Sequence, residues 1–216
     1  MISAEDIDFV NLCLDSFYTQ LATHKYGVMS PAKEPPYHPE DGGVPFEMMD
    51  SPVDGEGYCQ WKMLPSTLTE ADVRQLEQEF AVPFPPLLRA YLVARFHLID
   101  QVGNGKEFML WPCVPSDNPF GPLRLYLEGW KPLLEAGYIP FTGYQDDWGP
   151  VCFDTEQCLP DGDQAIVWFD HEVLHNFPDE TDLAKRELVQ PLARPLYSSF
   201  RELLSDMFLA QYAGKE

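Results

Sequence analysis

From Gly103 to Phe169 the apolar residues fall in short runs divided by turn formers rather than by long helices: Phe108 to Trp111, Leu123 to Leu127, Tyr138 to Phe141, Val151 to Phe153 and Ala165 to Phe169. A parallel pair of strands needs a crossover of about a dozen residues or more, so runs spaced like these predict a mainly antiparallel sheet. Helical periodicity frames the runs on both sides. A first helix is predicted from Ser3 as cap and Asp6 at the third helical position, with apolar residues at Ile7, Val10, Leu14, Phe17, Tyr18 and Leu21. A second opens on a capping box, Thr69 with Asp72, and carries Val73, Leu76 and Phe80. Pro83, Pro85 and Pro86 end it and start a third, from Pro86 to about Ile99, because proline suits a first helical turn. The last is capped by Ser199 with Glu202 and repeats Phe200, Leu203, Leu204, Met207 and Phe208. Helices first, strands in the middle and a closing helix make an α+β fold, with the helix stripes, Phe153 and Trp168 as its core.

Between Gly27 and Gly57 the pattern gives way to prolines and glycines, which predicts an extended connector held down by Phe46, Met48 and Met49. Two parts follow: residues 1–60 as helix and connector, and residues 61–216 as an α+β domain expected to fold without them. A chain of 216 residues buries enough surface to need neither metal nor disulfide. Five cysteines without a CxxC pair suit a reducing, cytoplasmic setting. The best candidate for a membrane span, Leu87 to Ile99, is broken by Arg89 and Arg95.

Charge narrows the partners. Thirty-five acids against 14 bases leave a formal net charge of −21, which argues against nucleic acid and anionic membranes, since phosphate binding rewards positive charge. Between Pro132 and Ala184 stand 12 acids and no Lys or Arg. Like charges repel, so such a concentration is either a solvated surface or a surface put to use.

Four places carry a family resemblance. Phe84-Pro85-Pro86-Leu87-Leu88-Arg89-Ala90-Tyr91-Leu92 resembles a helix start, and Tyr138-Ile139-Pro140-Phe141 with Asp146-Asp147-Trp148-Gly149 and Val151-Cys152-Phe153-Asp154 a strand pair. Ile166-Val167-Trp168-Phe169-Asp170-His171-Glu172 resembles a strand ending in W-D-H-E, and Ser198-Ser199-Phe200 the opening of a final helix. In joint order, over roughly residues 67 to 210, these are similar to the SUKH superfamily, which includes fungal cell-wall synthesis regulators, the bacterial Syd protein and immunity proteins of bacterial toxin systems. The resemblance implies a curved mixed sheet, flanked by helices, that binds protein partners. The first 60 residues match nothing in the family core.

Several motifs invite chemistry. His171-Glu172-Val173-Leu174-His175 fits HExxH, which in zinc peptidases needs a helix to bring both histidines to one face. Here it follows a β-type run and meets Pro178 at once, so a strand end and turn is expected instead, without zinc or any other cofactor. Asp146, Asp147 and Asp154 lack the alternating spacing of a calcium loop. Cys152 reads as a core residue rather than a nucleophile, and Gly103-Asn104-Gly105-Lys106 as a turn rather than a phosphate loop.

The function expected is therefore non-enzymatic protein binding by a monomer or weak dimer: an immunity protein neutralising a basic, nuclease-type toxin through Asp146, Asp147, Trp148, Asp154, Asp170 and Glu172. The alternatives are a Syd-like cytosolic partner of a basic membrane-protein loop, and a zinc hydrolase using the HEVLH run.

Overall fold

A computed structural model of the chain describes residues 2–33, 42–145, 149–177 and 179–209. Its elements run α1 (Ala4–Ala22), β1 (Met29–Pro31), β2 (Tyr58–Gln60), β3 (Leu64–Pro65), α2 (Glu70–Phe80), α3 (Pro86–Ala94), β4 (Arg95–Phe96), β5 (Gln101–Gly103), β6 (Phe108–Leu110) and α4 (Gly121–Gly129). They continue with α5 (Lys131–Glu135), β7 (Tyr138–Tyr144), β8 (Pro150–Cys158), β9 (Gln164–Trp168), α6 (His171–His175), α7 (Arg186–Val189), β10 (Arg194–Tyr197) and α8 (Phe200–Leu209). The fold is α+β. No described helix is long and apolar enough to cross a membrane.

The central sheet has six strands in the order β10-β9-β8-β7-β6-β5, antiparallel at every pair. Irregular register between Pro140 and Thr142 and between Phe153 and Cys158 bends the strands, and the sheet curls into a half-barrel. Side chains alternate across it with period two. Ile139, Phe141, Val151, Phe153 and Ile166 enter a large core under α1, α3 and α8, whereas Tyr138, Cys152 and Val167 enter a smaller one with Leu133, Phe169, Leu174 and Val189. Two covered faces explain why β7 and the start of β8 are apolar almost without interruption.

The predicted caps form. Ser3 Oγ accepts from Asp6 N at 3.0 Å, Thr69 and Asp72 make their capping box, and Ser199 Oγ accepts from Glu202 N at 3.0 Å. The turn before β9 adds a cap that local pattern does not reveal: the buried Asp163 carboxylate accepts from Phe200 N at 3.2 Å and Arg201 N at 3.0 Å, across 37 residues of chain, as well as from Gln164 N at 2.8 Å. It anchors α8, whose Phe200, Leu203, Leu204, Met207 and Phe208 are all buried. Replacing it leaves buried N–H donors unmet, so Asp163→Ala is expected to lower unfolding stability by about 1–3 kcal/mol in a urea titration.

Three predicted elements differ. Leu123, Leu125 and Leu127 alternate as in a strand, yet they lie in α4, where Leu123 and Leu127 are one turn apart and buried and Leu125 is 73% exposed. Pro122 in the first turn is the signal for the helix. The third helix stops at Ala94 rather than near Ile99, because Arg95 and Phe96 pair with Pro65 and Leu64, and His97 pairs with Val114. Tertiary pairing there overrides a run with no local stop signal.

The third difference is the connector. β1 pairs with β2, and Val28, Val44, Met48 and Cys59 are buried in the same core as α1, α3 and α8. Lys33, buried, reaches Asp117 at 2.6 Å. Met48 does the pinning while Phe46 is 74% exposed. Residue 60 therefore marks no break in the packing.

Deep in that core is a complete polar network. Ile99 N–H donates to His97 Nδ1 at 3.2 Å, so the neutral ring carries its proton on Nε2, which donates to Tyr91 Oη at 2.8 Å. Tyr91 Oη also accepts from Trp111 Nε1 at 2.7 Å and donates to the Pro112 carbonyl at 3.0 Å. Burial pushes the His97 pKa down to about 3.

Candidate functional site

Two chain segments meet at one end of the sheet. β7 runs out through Tyr144 to Gln145, and the chain returns through Gly149 into β8, with Tyr144 N donating to Gly149 O at 2.9 Å. Gly149 holds a φ of +124°, and a Cβ there would stand 1.9 Å from Phe169 O and 2.8 Å from His171 N. Only glycine lets this return leg lie against the end of β9. Phe169 N donates to Pro150 O at 3.1 Å and completes the junction.

Beyond the junction the HEVLH run forms α6, which corrects the expected strand end and turn. The cause is local: Asp170 accepts from Glu172 N at 3.0 Å and caps the turn, and Leu174 plugs it into the smaller core. His171 and His175 come one turn apart, with ring centroids at 5.7 Å, and the Trp130 ring lies 6.3 Å from that of His175. Between α4, the end of β7 and α6 opens a cleft of about 360 Å³, lined chiefly by Tyr126, Trp130, Tyr144, Gln145 and the two histidines.

The acids expected to form one face are described only in part. Asp146, Asp147 and Trp148 lie outside the described residues. Asp154 is 1% exposed and presents no charge to a partner: Arg186 binds it at 2.5 Å, and it accepts from Gln157 Nε2 at 2.7 Å and Glu156 N at 3.1 Å. Arg186 also reaches Glu156 at 2.9 Å and lies over the Tyr138 ring at 4.4 Å. Asp170 is shared between the α6 cap and Arg194 at 3.5 Å. Glu172 is exposed beside it.

The sequence between residues 132 and 184 has no base, but its flanks supply them. Lys131 pairs with Glu135 at 4.0 Å, Lys185 with Asp182 at 2.6 Å, Arg186 with Asp154 and Glu156, and Arg194 with Asp170. The missed signal was adjacency, since the first of the downstream bases follows the stretch directly.

Catalytic readings find little here. Among the described residues no group of three or more His, Cys, Asp or Glu is placed to hold a metal ion, so HEVLH has no third ligand of the kind a zinc hydrolase uses. Burial pushes the Cys13 and Cys113 thiols up to about 12 and that of Cys152 well above its ordinary value, the opposite of what activates a nucleophile. No protein-family model matches the chain, and no curated protein matches it.

Proposed function

We propose that this chain is a non-enzymatic binding domain whose partner is a basic protein, and that it acts as an immunity protein against a nuclease-type toxin. One observation carries the reading. Among the described residues, eleven Lys and Arg side chains are in ion pairs with the chain's own carboxylates. With 35 acids against 14 bases in the sequence, the chain keeps a large excess of negative charge. Nucleases need basic substrate clefts, and a strongly negative surface complements one. The SUKH-like order of motifs supports the same class of function. Aromatic residues at the α6 cleft, Trp130 above all, supply the anchors that interfaces favour.

The test is capture of the partner from the native cell, followed by binding rates at two ionic strengths. Exposed Glu172, together with Asp146 and Asp147, is reversed to lysine. Association at low salt is expected to slow by about tenfold or more, with a flatter salt dependence and little change in dissociation. An acidic partner, or association rates and salt slopes indifferent to the three reversals, would refute the reading.

A further inference from the structure

In a strand, four residues would set the two histidines about 13 Å apart, but the helical turn of α6 stacks His171 and His175 one above the other on the same face. We propose that these two histidines form an open site for a late first-row divalent ion, Zn²⁺, Ni²⁺ or Cu²⁺, with water from the cleft completing the coordination.

The spacing fits. With metal–nitrogen bonds of about 2.0–2.1 Å, two imidazoles sharing a tetrahedral ion have centroids about 5 Å apart. The observed 5.7 Å is within reach of a small side-chain rotation. The nitrogens are also uncommitted. His171 Nδ1 is buried without a hydrogen-bond partner, an unfavourable state that a coordinated ion relieves. Both rings line one cleft of about 360 Å³, which has room for the ion's waters. Imidazole selects this class of ion, whereas carboxylate and carbonyl oxygens select magnesium, calcium or manganese.

The same geometry sets the limits of the site. No described carboxylate receives the second N–H of either imidazole, the support that fixes tightly bound metals, so the ion exchanges freely with solvent. Glu172, next to the first histidine rather than a turn away, lies off the shared face and is no ligand. The site shares the α6 cleft with the face proposed above for a partner, but ion binding does not depend on that reading and implies no catalysis.

Calorimetric titration of the full chain carrying Cys158→Ser, which removes the exposed thiol as a competitor, tests the proposal. Ni²⁺ and Zn²⁺ are expected to bind at one ion per chain, and Mn²⁺ and Mg²⁺ far more weakly. His171→Ala and His175→Ala should each weaken Ni²⁺ binding by about tenfold or more, and Glu172→Gln should leave it unchanged. His175 is exposed, so His175→Gln keeps the fold and still removes the ligand if an alanine variant unfolds. Wild-type affinity in the histidine variants, equal binding of Mn²⁺, or no binding of Ni²⁺ at millimolar concentration would overturn the proposal.

Discussion

A chain beginning at Gly57 is expected to lose cooperative unfolding and to aggregate. The deleted part carries Val10, Leu14, Phe17, Val28, Val44 and Met48, all buried in the core they share with α3 and α8. Phe17 alone sets its ring 5.2 Å from that of Phe208, and Tyr18 both packs on Trp61 at 5.1 Å and donates to its carbonyl at 2.9 Å. Each such side chain buries surface worth roughly 1.5–3 kcal/mol, so the six together rival the whole stability of a typical domain, about 5–15 kcal/mol. Size-exclusion chromatography and urea titration of residues 57–216 are the check. A monomer with a sharp transition would show that the N-terminal part covers the core without completing it.

The second large effect concerns acid. His97 stays neutral in the folded chain until about pH 3, while in the unfolded chain an ordinary histidine takes up its proton near pH 6.5. Because the folded value is depressed, the contribution to stability is fully present above about pH 6.5 and drains away as pH falls toward 3. Each pH unit in that window costs about 1.4 kcal/mol, or roughly 3 kcal/mol by pH 4. Urea titrations between pH 7 and pH 4 should therefore fall more steeply for the wild type than for His97→Gln, which has no proton to take up. The slope is the readout, since the variant also disturbs Tyr91 and Ile99 and starts from lower stability. Parallel slopes would mean that the ring is protonated in the folded state as readily as in the unfolded one.

What the sequence made legible was whatever is decided within a turn or two of chain. Ser3, Thr69 and Ser199 cap the helices they precede, and the short apolar runs Tyr138–Phe141 and Ala165–Phe169 lie within sheet strands or at their ends. Where a short pattern fits two periods, as with Leu123, Leu125 and Leu127, local reading fails and the burial of alternate turns decides. HEVLH fails similarly: the preceding β-run argued for a strand end, but Asp170 was already available as a cap. The acidic stretch was legible only in part, for a different reason. Its compensating bases lie at its flanks in sequence, and only folding brings Arg186 onto Asp154 and Arg194 onto Asp170. Nothing local joins His97 to Trp111 through Tyr91, so the buried network belongs wholly to the tertiary structure.

The order of the sheet has a further consequence, for how other chains can approach. Its two borders are β5, three residues ending in Gly103, and β10, four residues that include Pro195. Proline has no N–H to offer an incoming strand, the exposed Arg194 beside it adds a charge, and so short a border gives few hydrogen bonds to extend. Lengthening of this sheet by a neighbour's backbone, the route by which exposed strands zip proteins into fibres, is discouraged at both borders. At these two borders an associating protein finds little hydrogen-bond ladder to borrow, which leaves shape and charge to do more of the reading there.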